Sequence, residues 1–383
     1  MTIRANWNYP NAVRFGAGRI KELAEACKVA GIKRPLFVTD PGLVNLPMTH
    51  AAIQVLRDAH LVTAVFSDVK GNPVESNVYA GIDVLRANKC DGVVCFGGGS
   101  ALDVGKVIAF MAGQTRPMWD FEDIGDWYTR ADPAGIVPNV CVSTTAGTGS
   151  EVGRAGVITH EATHTKKVIF HPLMMPKVTI LDPELTVGLP PKITAWTGFD
   201  ALAHCLEAYC APGFHPMAEG IAVEGIRLVK EYLPTAYAKG SDIEARGAML
   251  TAASMGATAF QKGLGGIHAL SHPVGAIYDT HHGLTNAVFM PYVLDANRAA
   301  IEERIARLSA WLGLERSFDA FKTFVLDLRT ALEIPATLAG LGVDSSRFDE
   351  MAEKAVVDPT AGGNPVPITK EWAKAVYEAA LKG

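Results

Sequence analysis

Along the first half of the chain, short runs of β-branched and aromatic residues alternate with stretches whose apolar positions recur at helical spacing. Residues 35–39, 61–67 and 92–96 are such short runs, rich in Val, Phe and Cys. The first closes on a breaker, Asp40-Pro41-Gly42. Between the second and third, Val78, Ile82 and Leu85 share one helical face of the segment 75–88. Strands separated by helices of this length predict βαβ units, hence a parallel sheet with helices on both faces.

The pattern changes near residue 190. Asp182-Pro183 and Gly188-Leu-Pro-Pro191 make a turn-rich boundary, and beyond it come long Ala- and Leu-rich helical segments: 193–209, 218–233, 243–260, 299–311 and 318–332. No strand pattern interrupts them. The expected organisation is an α/β dinucleotide-binding domain over 1–189 and an all-helical domain over 190–383. Internal repeats and low-complexity segments are absent.

Composition narrows the function. The 383 residues are 49% hydrophobic and carry 35 basic against 40 acidic side chains, which excludes disorder as the main state. A net charge of -5 leaves no electrostatic footprint for nucleic acid. Apolar stretches such as 92–96 and 104–112 are too short to cross a membrane, which takes ~20 residues. The first ten residues show neither an apolar core nor a small-residue cleavage site, so no signal peptide is expected. Six cysteines are scattered without a CxxC pair, which fits free thiols and a cytoplasmic location.

Candidate chemistry begins at residue 97. The apolar run 92–96 leads straight into Gly97-Gly98-Gly99-Ser100 and a helical stretch. A glycine turn between strand and helix lets the backbone approach a phosphate, and the helix N-terminus supplies free N–H groups. Ser100 and Asp103 have the spacing of a capping box. The spacing is not G-x-G-x-x-G, because Leu102 stands where the third glycine would fall. A second polar-glycine stretch follows the run 137–142 at 143–150. Asp40 closes the first strand, where its carboxylate is placed to accept from ribose hydroxyls or simply to shape the turn.

Six of the eleven histidines fall between 204 and 282. Asp200 and His204 are spaced i,i+4, as are His268 and His272, and His281-His282-Gly283 follows. Both pairs sit among apolar residues, where burying ionisable groups costs several kcal/mol, about what an unpaired polar group costs. A carboxylate and imidazoles converging on one ion would remove that cost, and three nitrogens with one oxygen suit zinc, iron or a similar first-row metal.

These residues carry a resemblance. Gly97–Ser100, Thr144-Thr-Ala-Gly-Thr-Gly-Ser-Glu151, Thr197-Gly-Phe-Asp-Ala-Leu-Ala-His204, Gly266–His272 and His282-Gly-Leu-Thr-Asn-Ala287 resemble the iron-containing, or group III, alcohol dehydrogenases. The resemblance runs over essentially the whole chain. It implies a dehydroquinate-synthase-like architecture, NAD as cofactor, a divalent metal (Fe2+ first, Zn2+ second) and a homodimer or larger homo-oligomer. It further implies Asp200, His204, His268 and His282 as metal ligands, and His272 as a histidine near the nicotinamide that is not a ligand; an imidazole there is either a shuttle for the released proton or a hydrogen-bonded structural histidine. Gly97, Gly98, Gly99 and Ser100 would hold the pyrophosphate, while Asp40, Thr144, Thr145, Thr148, Lys166 and Leu185 match cofactor contacts. Phe260 matches an aromatic at the alcohol pocket. Lys262 replaces an Asn of several relatives.

The implied reaction moves a hydride between NAD and a small primary alcohol or aldehyde, with the metal as Lewis acid. Lys262, two residues after Phe260, raises an alternative. Pointed into the cleft it would hold the carboxylate of a short hydroxy acid such as 4-hydroxybutyrate; pointed outward it would be solvated. A dehydroquinate-synthase-type lyase is disfavoured by the few cations between 190 and 290, namely Lys192, Arg227, Lys230, Lys239, Arg246 and Lys262. A maleylacetate-reductase-like enzyme is disfavoured by the intact ligand set. A non-enzymatic nucleotide- or metal-binding module is the remaining competitor.

Overall fold

The structure, a computed structural model, describes residues 11–383. Two compact units divide the chain. One runs to Thr145 and resumes over Gly149–Gly188; the other comprises Leu189–Gly383 together with Ala146–Thr148.

The first unit is α/β. Its elements are β1 (Ala12–Phe15), α1 (Leu23–Ala30), β2 (Pro35–Val38), α2 (Pro47–Asp58), β3 (Ala64–Phe66), α3 (Glu75–Ala87), β4 (Gly92–Gly97), α4 (Gly99–Met111), β5 (Asn139–Ser143), β6 (Ala155–His160), β7 (Thr165–Phe170) and β8 (Val178–Leu181). Six strands form one sheet in the order β1-β8-β5-β4-β2-β3, every pair parallel. Parallel strands covered on both faces read as unbroken apolar runs, and β2, β4, β5 and β8 are buried at every position. Alternation along β4 divides the core. Val93 and Cys95 join Val78, Ile82 and Leu85 of α3 on one face, while Val94 and Phe96 join Leu23, Ala52 and Leu56 of α1 and α2 on the other.

The strand order has a consequence for function. From β2 the chain moves outward to the edge strand β3, whereas from β4 it moves the opposite way to β5. The ends of β2 and β4 therefore flank a topological switch point, the position where open α/β sheets bind ligands. Asp40 follows β2 and Gly97 ends β4.

Two features depart from the sequence pattern. The antiparallel hairpin β6–β7 was not visible as strands, and it packs on α4, where a Cβ on Gly156 would lie 2.6 Å from Val107. The run 61–67 contributes only three residues of strand, Ala64–Phe66.

Among the described residues the second unit contains eight α-helices: α5 (Pro191–Cys210), α6 (Pro216–Ala238), α7 (Ile243–Ala259), α8 (Gly266–Tyr278), α9 (His282–Trp311), α10 (Phe318–Ala331), α11 (Phe348–Val356) and α12 (Lys370–Lys382). The periodic segment 299–311 is the far end of α9, a 30-residue helix that begins at His282 and runs through Pro291. Helix α5 is the centre of the unit, buried along almost all of its 20 residues and packed against α6, α7 and α9. No described helix is long and apolar enough to cross a membrane.

Candidate active site and metal centre

In the α/β unit the glycine turn is built by steric necessity. Gly97 has φ 150°, and a Cβ there would stand 2.8 Å from the Cβ of Ala101. A Cβ on Gly98 would press on Thr145 at 3.2 Å. The close helix–strand approach that a third fingerprint glycine provides comes instead from Gly105, whose Cβ would lie 2.5 Å from Cys95 Sγ. Helix α4 starts at Gly99 after Gly98, with no side chain capping it, so its first N–H groups and positive dipole end remain available to an anion.

The expected capping box between Ser100 and Asp103 does not form. Ser100 lies inside the first turn and its Oγ donates to the Gly71 carbonyl at 2.6 Å. Asp103 accepts from Ser150 Oγ and from the Val157 N–H, tying the second glycine loop and the hairpin to α4. A hydroxyl already inside the helix cannot occupy the cap position.

The structure brings several of the expected cofactor residues together. Thr144 N–H donates to the Gly97 carbonyl at 3.0 Å, joining the two glycine loops. Asp40 Oδ1 shapes the turn, accepting from the N–H groups of Gly42 and Leu43 at 2.9 and 3.0 Å. Its other oxygen faces Gly97, 3.4 Å from the position a Cβ would take. Burial pushes the Asp40 carboxyl up, and the two N–H groups only partly offset it. Lys166 stands half-buried on β7. Leu185 is buried in the core beneath the sheet with Val94 and Phe96. Thr148 belongs to the helical unit's share of the chain.

In the helical unit, α5, α8 and α9 converge. Asp200, His204 and Glu207 lie along one face of α5 at i, i+4 and i+7. Ligand atoms of Asp200, His204 and His268 lie within 4.8 Å of one another. From Asp200 Oδ1, the Nε2 atoms of His282, His268 and His204 are 3.4, 3.7 and 3.9 Å away. Tetrahedral bonds of about 2.0–2.2 Å put neighbouring ligands ~3.3–3.6 Å apart, so these spacings fit one first-row ion with little adjustment. The centre is buried except on one side, where the His282 side chain is 24% exposed.

Its electrostatics favour a cation. Burial pushes the Asp200 carboxyl up, but His204, His282 and His268 outweigh it and hold that carboxyl well below the usual carboxylate range. Burial lowers His204 to about 4, leaving a neutral imidazole with a lone pair to give. His268 moves the other way: burial would lower it, yet Glu207 and Asp200 raise it to about 9. Two buried carboxylates thus draw positive charge to this point.

Neighbouring groups aim the ligands. Glu207 Oε2 lies 2.6 Å from His268 Nδ1 and its Oε1 accepts from the Ile267 N–H at 2.6 Å. That contact holds a proton on Nδ1 and turns Nε2, the nitrogen that can give up its proton to a metal, toward Asp200. Asn364 Oδ1 accepts from the Gly266 N–H at 3.0 Å, so α8 is capped from two distant segments. Between His281 and His282, the structure turns His282 toward Asp200 and lays His281 against Trp196, ring centroids 4.9 Å apart.

His272 sits beside this cluster, its ring stacked on His282 with centroids 5.3 Å apart. Asp358 Oδ2 is 2.8 Å from its Nδ1 and is itself held by Thr360. Phe260 packs beside His204 at 5.2 Å between centroids. Lys262 corrects both expectations for it. Its side chain is 1% exposed, and Nζ donates to Glu219 Oε1 at 2.9 Å and to the Tyr209 carbonyl at 3.2 Å. Its charge is neither solvated nor offered to a substrate carboxylate. A buried ammonium must be paired, and Glu219 was in hand.

Sequence reasoning missed Glu207, Asn286 and Asp358. A signal existed for the first two: Glu207 continues the i, i+4, i+7 stripe of α5, and Asn286 lies one turn after His282. Asp358 stands 86 residues from His272, and no local pattern links them.

The model of iron-containing alcohol dehydrogenase matches residues 10–183, and that of the Fe-containing alcohol dehydrogenase family C-terminal region matches residues 194–381. The chain is 38% identical to a 4-hydroxybutyrate dehydrogenase of Cupriavidus necator, over 98% of both chains. It is 35% identical to an NAD-dependent methanol dehydrogenase of Bacillus methanolicus, over 98% of this chain and 100% of the other. A solved 1,3-propanediol oxidoreductase superposes with a TM-score of 0.93 at 35% identity, over 98% of this chain and 100% of that one.

Proposed function

The chain belongs to the iron-containing alcohol dehydrogenase family and is an oxidoreductase of that class, and we propose that it interconverts small neutral primary alcohols and their aldehydes with NAD. The observation that carries this reading is the convergence of three imidazoles and one carboxylate on a buried point. When bound, a divalent ion supplies Lewis-acid polarisation of the reacting oxygen and NAD supplies the hydride acceptor. Fe2+ is our first choice of metal and Zn2+ the second, since both accept three nitrogens and one oxygen.

The chain's own residues do the rest. Asp200, His204, His268 and His282 hold the ion, and Glu207 keeps His268 in the tautomer that can bind it. Gly97, Gly98, Gly99, Ser100 and the α4 N-terminus receive the pyrophosphate, with Thr144 and Thr145 alongside; Asp40 accepts from the adenosine ribose. Thr148, Lys166 and Leu185 complete the proposed cofactor contacts. His272, its Nδ1 proton held by Asp358, presents Nε2 to accept the alcohol proton, and returns it in the reductive direction. Phe260 walls the alcohol pocket beside His204.

The pairing of Lys262 with Glu219 is what favours a neutral alcohol over a hydroxy acid, because no carboxylate anchor is left at that position. Six free, buried thiols support a reducing cytoplasm. A homo-oligomer is supported by β1, the sheet's edge among the described residues, which exposes Val13 and Phe15.

The test is NADH formation by the purified protein, loaded anaerobically with Fe2+ or Zn2+, across methanol, 1,3-propanediol, 1-butanol and 4-hydroxybutyrate. Turnover of the neutral alcohols, abolished in His268→Ala, is expected. Failure to reduce NAD with every alcohol refutes the proposal.

A further inference from the structure

Asn286 is completely buried in the first turns of α9, one turn after His282. Its amide nitrogen donates to Asp200 Oδ1 at 2.8 Å and lies 3.1 Å from His282 Nε2 and 3.3 Å from His268 Nε2. One NH2 group is thus set against three of the four atoms assigned to the metal. The amide oxygen, equally buried, has no hydrogen-bond partner.

That imbalance is informative. A structural amide in the same unit, Asn364, uses both ends. Its oxygen accepts from Gly266 and Asn297, and its nitrogen donates to the Val366 carbonyl and to Asn297 Oδ1. A buried carbonyl oxygen without a donor gives up its hydration for nothing in return. Rotating the amide would not relieve it, because oxygen would then face the acceptor-only carboxylate of Asp200. Asn286 is therefore held with its donor toward the ligands at the expense of its other end.

We propose that Asn286 is a positioning residue for the metal: its amide fixes Asp200 Oδ1 and screens the Asp200–His268–His282 side of the donor set, and so sets the affinity for the ion. This rests on the assignment of those residues as ligands. An amide suits the task better than a carboxylate. A third buried negative charge beside Asp200 and Glu207 would have to be neutralised in turn.

The experiment measures Zn2+ affinity by competition with a chromogenic chelator, for the unmutated protein, Asn286→Leu, Asn286→Ala and His268→Ala. NAD affinity and the thermal midpoint without added metal are followed in parallel. Leu keeps the branching and heavy-atom count of Asn, with larger methyl groups, but cannot donate. Both Asn286 variants are expected to bind Zn2+ about 10- to 100-fold more weakly, the usual effect of losing a group that orients a ligand, with NAD affinity unchanged. Unchanged Zn2+ affinity in Asn286→Leu overturns the proposal, whether or not Asn286→Ala is weakened, since the amide donor would then not be required. Stoichiometric Zn2+ on His268→Ala would instead sink the ligand assignment beneath it.

Discussion

Gly283 offers a demanding test of how the proposed metal centre is built. It follows His282 in the first turn of α9, and a Cβ there would lie 2.2 Å from the Trp196 carbonyl oxygen and 3.1 Å from Asp200 Cβ. On propensity alone Gly283→Ala should stabilise the helix, by up to about 1 kcal/mol. The clash opposes it. A carbon–oxygen contact relaxes at about 3.3 Å, so the first turn of α9 must retreat from α5 by ~1 Å. Overpacking of this kind costs about 1–3 kcal/mol, which cancels or modestly exceeds the propensity gain.

The site pays far more than the fold does. His282 moves with the turn, and its Nε2 begins 3.4 Å from Asp200 Oδ1. Metal–ligand distances tolerate about 0.2 Å, so a 1 Å retreat detaches this ligand. Misplacement on that scale lowers kcat/KM by about 100-fold. The assays are metal content after dialysis against a chelator, steady-state alcohol oxidation and thermal unfolding without added metal. We expect a large loss of metal and kcat/KM with a small change in unfolding temperature. Wild-type metal retention and kcat/KM in Gly283→Ala would refute the reasoning, and so would a collapse in stability matching the loss of activity.

Three further outcomes follow from the same geometry. Glu207→Gln, which weakens the hold on His268 Nδ1, should lower metal affinity about 10- to 100-fold by chelator competition; unaltered affinity would show that Glu207 serves only to cap α8. Asp40 should favour NAD over NADP at least ~10-fold, since like charges at contact cost on the order of 1–4 kcal/mol, and Asp40→Gly should narrow the gap. Because burial raises the Asp40 pKa, acidification protonates it before an ordinary aspartate, so the preference should fade at a higher pH than in a solvated site; a preference that persists until acid unfolding contradicts this. Lys262→Met should lower stability by about 1–2 kcal/mol, as Glu219 keeps only Arg304, and leave the kcat/KM ratio of 4-hydroxybutyrate to 1-butanol unchanged; a drop in that ratio would return Lys262 to the substrate.

The α/β pattern was legible because a doubly covered parallel strand must be apolar along its length, as β2 and β4 are and as β5 is between its end residues Asn139 and Ser143. Strand order was not, since nothing in the run 92–96 says that its neighbours will be β2 and β5. Yet that order turns Asp40 and Gly97 into one candidate site. The hairpin β6–β7 escaped notice because Lys166, Lys167 and half-buried positions break the strand alternation. In the helical unit, i,i+4 spacing revealed the histidines because helix geometry alone makes such pairs neighbours. Partners that arrive from other helices, such as Asp358 on His272 and Glu219 on Lys262, had no such signature. Lys262 shows the hazard in its simplest form: the sequence displays a charge but not the carboxylate that has already claimed it.

Helix α5 solves the problem of buried charge twice, and the contrast separates a site from a strut. At its C-terminal end, Lys262 and Arg304 both meet Glu219 and the Tyr209 carbonyl. Those two cations answer one carboxylate and the negative end of the helix dipole, so the cluster calls for no further positive charge. Along the same helix, Asp200 and Glu207 are buried more deeply than Glu219, but the groups set against them are imidazoles, an amide and a backbone N–H. None of these brings a fixed positive charge. Imidazoles can exchange a proton for a metal ion, which ammonium and guanidinium groups cannot do at neutral pH. A helix that meets lysine and arginine at its last carbonyls, but histidine along the face that carries Asp200 and Glu207, is arranged to receive its second counter-charge from outside the chain.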